Sequence, residues 1–327
     1  HSLCFMTVGK NAVSYRIPPL RSITYCLRAA GIGLDDLALI VADQPLLPLS
    51  EGFLNDFLPI QDKSKIRRLP HPSHHLAHAY STYFCSPFQE SAILIADAFG
   101  SELILGNEGE SGYVARGNDV RMVFRTYQDS LPRKVRPGRS SYALTVMYRL
   151  ITQALGFVLP YGSWRPEAYF DEAGKTMGLA PYGRLVKSWP SLVEPANGTY
   201  RTDRFTRWIQ DQKIGRMERG ELVAIIREHS QKLSRFHKDL AYKAQMELEQ
   251  GLLLLAQKLH DETKCENLCL AGGAGLNCVA NRKIFDHTPF KHIFVQPAST
   301  DDGNAIGCAL YGWHKIIDRE KRFVLRN

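Results

Sequence analysis

Three histidines fall within five residues of the 327-residue chain, at His74, His75 and His78. If the segment is helical, His74 and His78 are four residues apart and share a face, the spacing at which two imidazoles grip one metal ion. His75 points elsewhere and is the poorer ligand. The plainer reading is a polar helix face whose histidines are satisfied by hydrogen bonds. A metal reading needs a third ligand, a carboxylate, from another part of the chain.

That carboxylate has a candidate in Ser299-Thr300-Asp301-Asp302-Gly303-Asn304. The string follows a strand and opens a helix, at the end of a sheet where α/β proteins bind ligands. One Asp could complete the histidine pair, and one could instead cap the helix. A third string, Leu268-Cys-Leu-Ala-Gly-Gly-Ala-Gly-Leu-Asn277, runs from a strand through glycines into a helix. It suits close backbone approach to a nucleotide, though it matches neither the dinucleotide nor the P-loop pattern, and a tight structural turn explains it equally well. The fourth, Asp171-Glu172-Ala173-Gly174-Lys175, offers a general base and an anion contact, or a surface ion-pair cluster of little energetic weight.

The elements that must position these residues alternate. Pro18 to Gly31 reads as a helix, Leu37 to Ala42 as a short strand, and Pro72 to Phe84 as a helix with Ser73 at its cap. Ser91 to Ala96 is a buried strand, followed by strands at Leu103–Leu105, Gly112–Ala115 and Val120–Thr126. Tyr142 to Leu155 is helical and stops at Gly156. Trp164 to Pro195 is rich in Pro and Gly and reads as loop with short helices. Glu221 to Lys264 carries long helical periodicity interrupted by Gly251. Strand, glycine turn and helix follow from Leu268, then a strand at Ile293–Gln296 and a helix from Gly303 to Ile317. Alternation at both ends predicts an α/β fold with a helical insertion.

Composition narrows the class. With 44% hydrophobic and 23% charged residues the chain is globular, and disorder or a small disulfide scaffold is excluded. No apolar run reaches the roughly 18 residues of a membrane span, so no membrane partner is expected. The seven cysteines, Cys4, Cys26, Cys85, Cys265, Cys269, Cys278 and Cys308, form no Cys-x-x-Cys pair and read as reduced thiols of a cytoplasmic protein. The net charge of +8 suits anionic ligands such as nucleotides, acyl phosphates or RNA. The basic run Arg133–Arg139 is a phosphate contact or, more simply, a solvated loop. The missing initiator Met points to a trimmed chain.

Taken together, HHLAHAYSTYF, SAILIADAFGSE, the tyrosine-bearing helix ending in LGF, EAGKTMGLAPYG, NLCLAGGAGLNCVANRKI and VQPASTDDGNAIGCAL resemble the NodU/CmcH/TobZ carbamoyltransferase family, in the family's order and from about Pro18 onward. The resemblance implies an actin-like ATPase (ASKHA) fold of two RNase-H-like lobes, similar to TsaD, which makes threonylcarbamoyl-adenosine in tRNA. It divides the chain into an N-terminal lobe over 1–90, lacking its first strand hairpin, and a C-terminal lobe over 91–327 with a helical insertion at about 157–264. It implies that His74, His78 and Asp301 bind a metal, iron(II) foremost with zinc or magnesium possible, held partly by the nucleotide phosphate. Asp97, Gly100 and Ser101-Glu102 match the second phosphate-facing turn. Gly272, Gly273 and Asn277 match the adenosine-binding turn, with Asn304 beside it.

The implied reaction passes a carbamoyl group from carbamoyl-adenylate to a hydroxyl or amine of a small natural product, as in antibiotic biosynthesis. Asp171 or Glu172 would take the acceptor's proton and Lys175 would contact the anion. Three departures stand out. The first phosphate-facing hairpin has no counterpart, Ala98 replaces a usual Gly, and the chain stops at Asn327 without the YrdC-like domain that makes the adenylate from ATP and carbamoyl phosphate. Such a domain or a separate partner would then supply it. A tRNA threonylcarbamoyl transferase is the alternative enzyme, favoured by the +8 charge, although nucleic acid is not the expected partner. A non-catalytic nucleotide-binding subunit or degenerate relative is the alternative outside enzymes. A metallohydrolase lacks its HExxH glutamate.

Overall fold

The computed structural model describes residues 20–43, 60–98, 100–104, 106–128, 142–160, 169–196, 198–218, 221–228 and 231–320. The basic run Arg133–Arg139 and Cys4 lie outside the described residues.

The chain opens with helix α1 (Leu20–Ala30), then the parallel pair β1 (Ile40–Ala42) and β2 (Ile66–Arg68). Helix α2 (His74–Cys85) follows, and after it β3 (Glu90–Ala96), β4 (Glu102–Leu103), β5 (Gly106–Arg116) and β6 (Asp119–Gln128). Helix α3 (Leu144–Ala154) leads into a region of small pieces. These are the hairpin β7 (Val158–Pro160) and β8 (Tyr169–Asp171), helix α4 (Ala173–Leu179), the pair β9 (Glu194–Ala196) and β10 (Thr199–Arg201), helix α5 (Phe205–Asp211), and the hairpin β11 (Gly215–Glu218) and β12 (Glu221–Ala224). The long helix α6 (Arg235–Thr263), β13 (Asn267–Ala271), α7 (Cys278–His287), β14 (His292–Val295) and α8 (Asn304–Tyr311) complete it.

One six-stranded sheet organises these pieces, in the order β14-β13-β3-β5-β4 with β6 also on β5. β3 runs antiparallel to β5 and parallel to β13, which is parallel to β14. An antiparallel meander joined to two parallel strands by crossovers is the RNase-H-like arrangement. From Ala92 to Ala96, β3 is apolar without interruption because both its faces are covered. Ala92, Leu94 and Ala96 face a core built with Leu144, Ile151, Leu252 and Leu255 of α3 and α6. Ile93 and Ile95 face Tyr80, Tyr83 and Phe84 of α2. The strand's two-residue period thus sorts its side chains between two helical layers.

Helix α2 is pinned to the sheet by polar bonds as well as packing. Thr82 Oγ1 donates to the Leu270 carbonyl at 3.1 Å, and Gln296 Nε2 donates to Ser81 O at 2.7 Å. Helix α8 lies against α2 so closely that a Cβ at Gly307 would land on the carbonyl oxygen of Ala77.

The helical reading of Glu221–Lys264 needs correction at its start. Residues 221–224 form β12, and the helix begins only at Arg235, where Ser234 and His237 make a reciprocal capping box. Leu222 packs on the core and Ala224 is buried, so a two-residue alternation prevails over the longer period. Gly251 stays inside the helix because Leu144 fills the space a side chain would need.

Candidate metal and nucleotide site

The i, i+4 spacing does what the sequence predicts. His74 and His78 project from one face of α2 with ring centroids 5.0 Å apart. Asp97 stands immediately after β3 and Asp301 between β14 and α8, so both come from the carboxyl ends of the two parallel strands that flank β13. Asp301 Oδ1 lies 3.2 Å from His74 Nε2 and 3.6 Å from His78 Nε2, and Asp97 Oδ2 lies 3.5 Å from His74 Nε2. One ligand atom from each of the four residues falls within 4.8 Å of all the others.

The histidines are buried, and neither Nε2 has a hydrogen-bond partner. Unpaired polar atoms in such a place are costly unless something else satisfies them. Two imidazole nitrogens without hydrogen-bond partners, converging with two carboxylates, fit a divalent cation of the iron or zinc kind. The Asp301 side chain is 36% exposed and forms the open side of the cluster.

Electrostatics bind the group together. Burial pulls His74 down, but the carboxylates of Asp301, Asp43 and Asp97 outweigh it and hold the imidazole well above its ordinary range. Burial pushes Asp97 and Asp301 up, for Asp97 together with the charge of Asp301, and the two histidines more than reverse this, leaving both carboxyls below the usual range. His75 is different. Its Nδ1 meets Ser111 Oγ at 2.8 Å, and burial lowers it to about 4. It belongs to the support of the site rather than to the ligand set.

The glycine turn abuts this cluster. Gly272 has φ of +87°, and a Cβ there would strike the backbone of Ala96 at the end of β3. This close approach lets Gly273 donate its N–H to Asp97 Oδ1 at 2.9 Å. Asn277 closes the turn. Its Oδ1 accepts from Ala280 N at the start of α7 and from Gln245 Nε2, while its Nδ2 donates to Gln245 Oε1. Asn304 is fully buried, with its amide 3.2 Å from His74 Nδ1. Gly100 is wedged between Glu108 and His75, whose Nε2 would stand 2.7 Å from an added Cβ.

Asp171, Glu172 and Lys175 are placed apart from the cluster, at the start of α4. Asp171 Oδ2 pairs with Arg149, and Glu172 pairs with Lys175 at 2.6 Å. They reach the glycine turn through neighbours. Tyr148 Oη lies 3.5 Å from Ala173 O and 3.1 Å from Gln245 Oε1, the oxygen that also accepts from Asn277. Neither Asp of the Asp301-Asp302 pair caps α8, whose cap position is Gly303, and Asp302 accepts from the Thr300 hydroxyl instead.

Two residues escaped the sequence reading. Asp97 was expected only to face phosphate, and it joins the ligand cluster. Asp43, a lone carboxylate after β1, contacts His74 Nδ1 at 3.2 Å. Its one signal was an Asp directly after a short apolar strand.

The chain is similar to known proteins over most of its length. The family model described as "Carbamoyltransferase N-terminus" matches residues 53–310. Nodulation protein NolNO of Sinorhizobium fredii is 30% identical over 324 residues, covering 89% of this chain and 41% of that protein. The uncharacterized protein sll1178 of Synechocystis is 28% identical, covering 93% of this chain and 52% of that one. The chain therefore spans about half, or less, of the length of these relatives. Among solved structures, HypF of T. kodakarensis superposes with a TM-score of 0.54 at 15% identity, over 90% of this chain and 42% of that one. A full-length HypF in its phosphate- and nucleotide-bound form gives 0.54 at 12% identity, over 95% and 51%. At such identities these structures speak to fold alone, and the fold is α/β of the actin-like ATPase class.

Proposed function

Because the chain belongs to the carbamoyltransferase N-terminus family, we propose that it moves a carbamoyl group from carbamoyl-adenylate to a hydroxyl or amine of a small natural product. The observation that carries this reading is the convergence of His74, His78, Asp97 and Asp301 beside the Gly272–Gly273 turn. A divalent cation held by those four residues would supply Lewis acidity toward the phosphate of the departing nucleotide. Iron(II) or zinc suits the two imidazole nitrogens better than magnesium, which prefers an all-oxygen octahedron.

The chain's own part is to bind, orient and move a proton. Gly273, with no atom but Asp97 Oδ1 within 4 Å of an added Cβ, would leave room for a nucleotide against the turn. The acceptor oxygen or nitrogen attacks the carbamoyl carbon, the bond from that carbon to the phosphate oxygen breaks, and AMP leaves with the electron pair. The acceptor's proton passes to a carboxylate. Asp171 is the better base of the pair, since its buried Oδ1 has no hydrogen-bond partner while both Glu172 oxygens face Lys175. Lys175 contacts the anion in exchange for Glu172. ATP and carbamoyl phosphate enter through a YrdC-like domain or separate partner that forms the adenylate. We place the protein in the cytoplasm, where thiols stay reduced, and no described helix is long and apolar enough to cross a membrane.

The test is to give the iron(II)-loaded chain synthetic carbamoyl-adenylate and a panel of polyhydroxylated and amino acceptors, following AMP release and the carbamoylated product by mass spectrometry. Acceptor-dependent product, absent from His78→Ala, is the expected result. Nucleotide binding with no transfer to any acceptor would favour a binding subunit instead, and transfer confined to tRNA would favour the tRNA enzyme.

A further inference from the structure

His74 is gripped on both sides of its ring. Nε2 faces Asp97 and Asp301, while Nδ1 faces Asp43 Oδ2 at 3.2 Å. Asp43 is only 4% exposed and stands at the end of β1, outside the four-residue cluster. Its other oxygen accepts from the Ser73 hydroxyl.

An ionised carboxylate can only accept, so the contact with Asp43 requires a proton on Nδ1. The ligand lone pair then belongs to Nε2, in the direction of Asp97 and Asp301. Asn304 does not reverse this assignment. With its amide turned about, Oδ1 rather than Nδ2 meets the Nδ1–H, and that buried oxygen, otherwise without a partner, is satisfied too. His78 offers a contrast, because neither of its ring nitrogens is hydrogen-bonded to a described residue, and its Nδ1 has no carboxylate behind it as His74 has; only its Nε2 faces Asp301, at 3.6 Å. Polar control of a ligand's orientation is therefore concentrated on His74.

We propose that Asp43 is a positioning residue for the metal ligand His74, fixing its Nδ1–H tautomer and ring plane so that Nε2 is presented to the cation. This rests on the metal reading of the cluster. Outer carboxylates of this kind raise the basicity of a ligating imidazole and hold it in place, and their loss costs about 10- to 100-fold in metal affinity. The competing role for Asp43 is structural, since holding Ser73 steadies the start of α2.

The experiment titrates the full chain with cobalt(II), read by calorimetry and by the visible spectrum, for wild type, Asp43→Asn, Asp43→Ala, Ser73→Ala and His78→Ala. Asn at position 43 keeps the shape but can turn an N–H toward Nδ1, which selects the wrong tautomer. Asp43→Asn should lose about 10- to 100-fold in affinity with an altered spectrum and a near-normal melting temperature. Ser73→Ala should stay within about threefold, since it leaves His74 untouched. Wild-type affinity in Asp43→Asn overturns the proposal, as does an equal loss in Ser73→Ala. If Asp43→Ala does not fold, the asparagine variant decides. No cobalt binding by wild type, or undiminished binding by His78→Ala, removes the metal site itself and the role of Asp43 with it.

Discussion

Ser101 closes the helix that carries His74. Its Oγ accepts from the backbone N–H of His74 at 3.0 Å and from that of Ser73 at the same distance. Ser73 occupies the cap position but spends its own hydroxyl on Asp43, so the cap comes from the turn after β3. That turn also carries Asp97, and Glu108 Oε2 steadies it by accepting the Ser101 N–H at 2.9 Å. A single short segment thus supplies one ligand and orients the helix bearing two more.

Ser101→Ala should therefore cost about 1 kcal/mol of stability, the usual worth of a helix cap. It should also weaken metal binding, because the helix end loses its tether to the turn that holds Asp97. Urea unfolding at pH 7 and a cobalt titration read the two effects, and a variant as stable as wild type would remove the cap from the account.

Metal content separates ligand from bystander. Asp301→Asn, Asp97→Asn and His78→Ala should each reduce bound iron or zinc at least about 10-fold, whereas His75→Gln should bind as wild type does. Elemental analysis after dialysis measures this. Retention of full occupancy by Asp97→Asn would reduce the ligand set to three residues.

Acid should destabilise the metal-free chain through His75. Burial holds this imidazole at about 4 instead of its ordinary 6.5, so between those values the unfolded chain binds the extra proton. Stability therefore rises with pH across that window and is lost as pH falls from about 6.5 through about 4. The full effect is on the order of 3 kcal/mol. His75→Gln should flatten this limb in unfolding curves taken at several pH values, and an unchanged limb would assign it to other groups.

The two glycines of the turn should differ. Gly272→Ala meets both a positive φ and the Ala96 backbone, and should lower stability by about 2 kcal/mol or more. Gly273→Ala meets only Asp97 Oδ1, at 3.5 Å, and should fold normally while binding nucleotide less well. Thermal melts with and without AMP distinguish them, and equal stability of the two variants would contradict the close approach of β3 and the turn.

Residues joined by local geometry were legible in the sequence. The helical spacing of His74 and His78, the glycine turn and the loop holding Asp301 each announce themselves within a few positions. Asp97 was visible but not as a ligand, because its place beside Asp301 depends on β3 and β14 flanking β13, and no local pattern encodes strand order. Asp43 precedes His74 by 31 residues and joins it only through the tertiary fold. Ser73 shows the same limit at close range. The start of α2 could be read, but the direction of its hydroxyl is decided by Asp43, which sequence does not bring near. In β12, four residues are too few to announce a two-residue period beside a long helical one.

The bare backbone contact between Gly307 and Ala77 has a mechanical consequence. Helices that slide past one another do so on a cushion of side chains that can change rotamer, and at Gly307 that cushion is missing. The histidine-bearing helix and the one that follows Asp301 form a fixed anvil, with two ligands on one plate and a third at the edge of the other. Any displacement of one of these helices would carry the other with it, and the spacing between the His74–His78 pair and Asp301 would be kept.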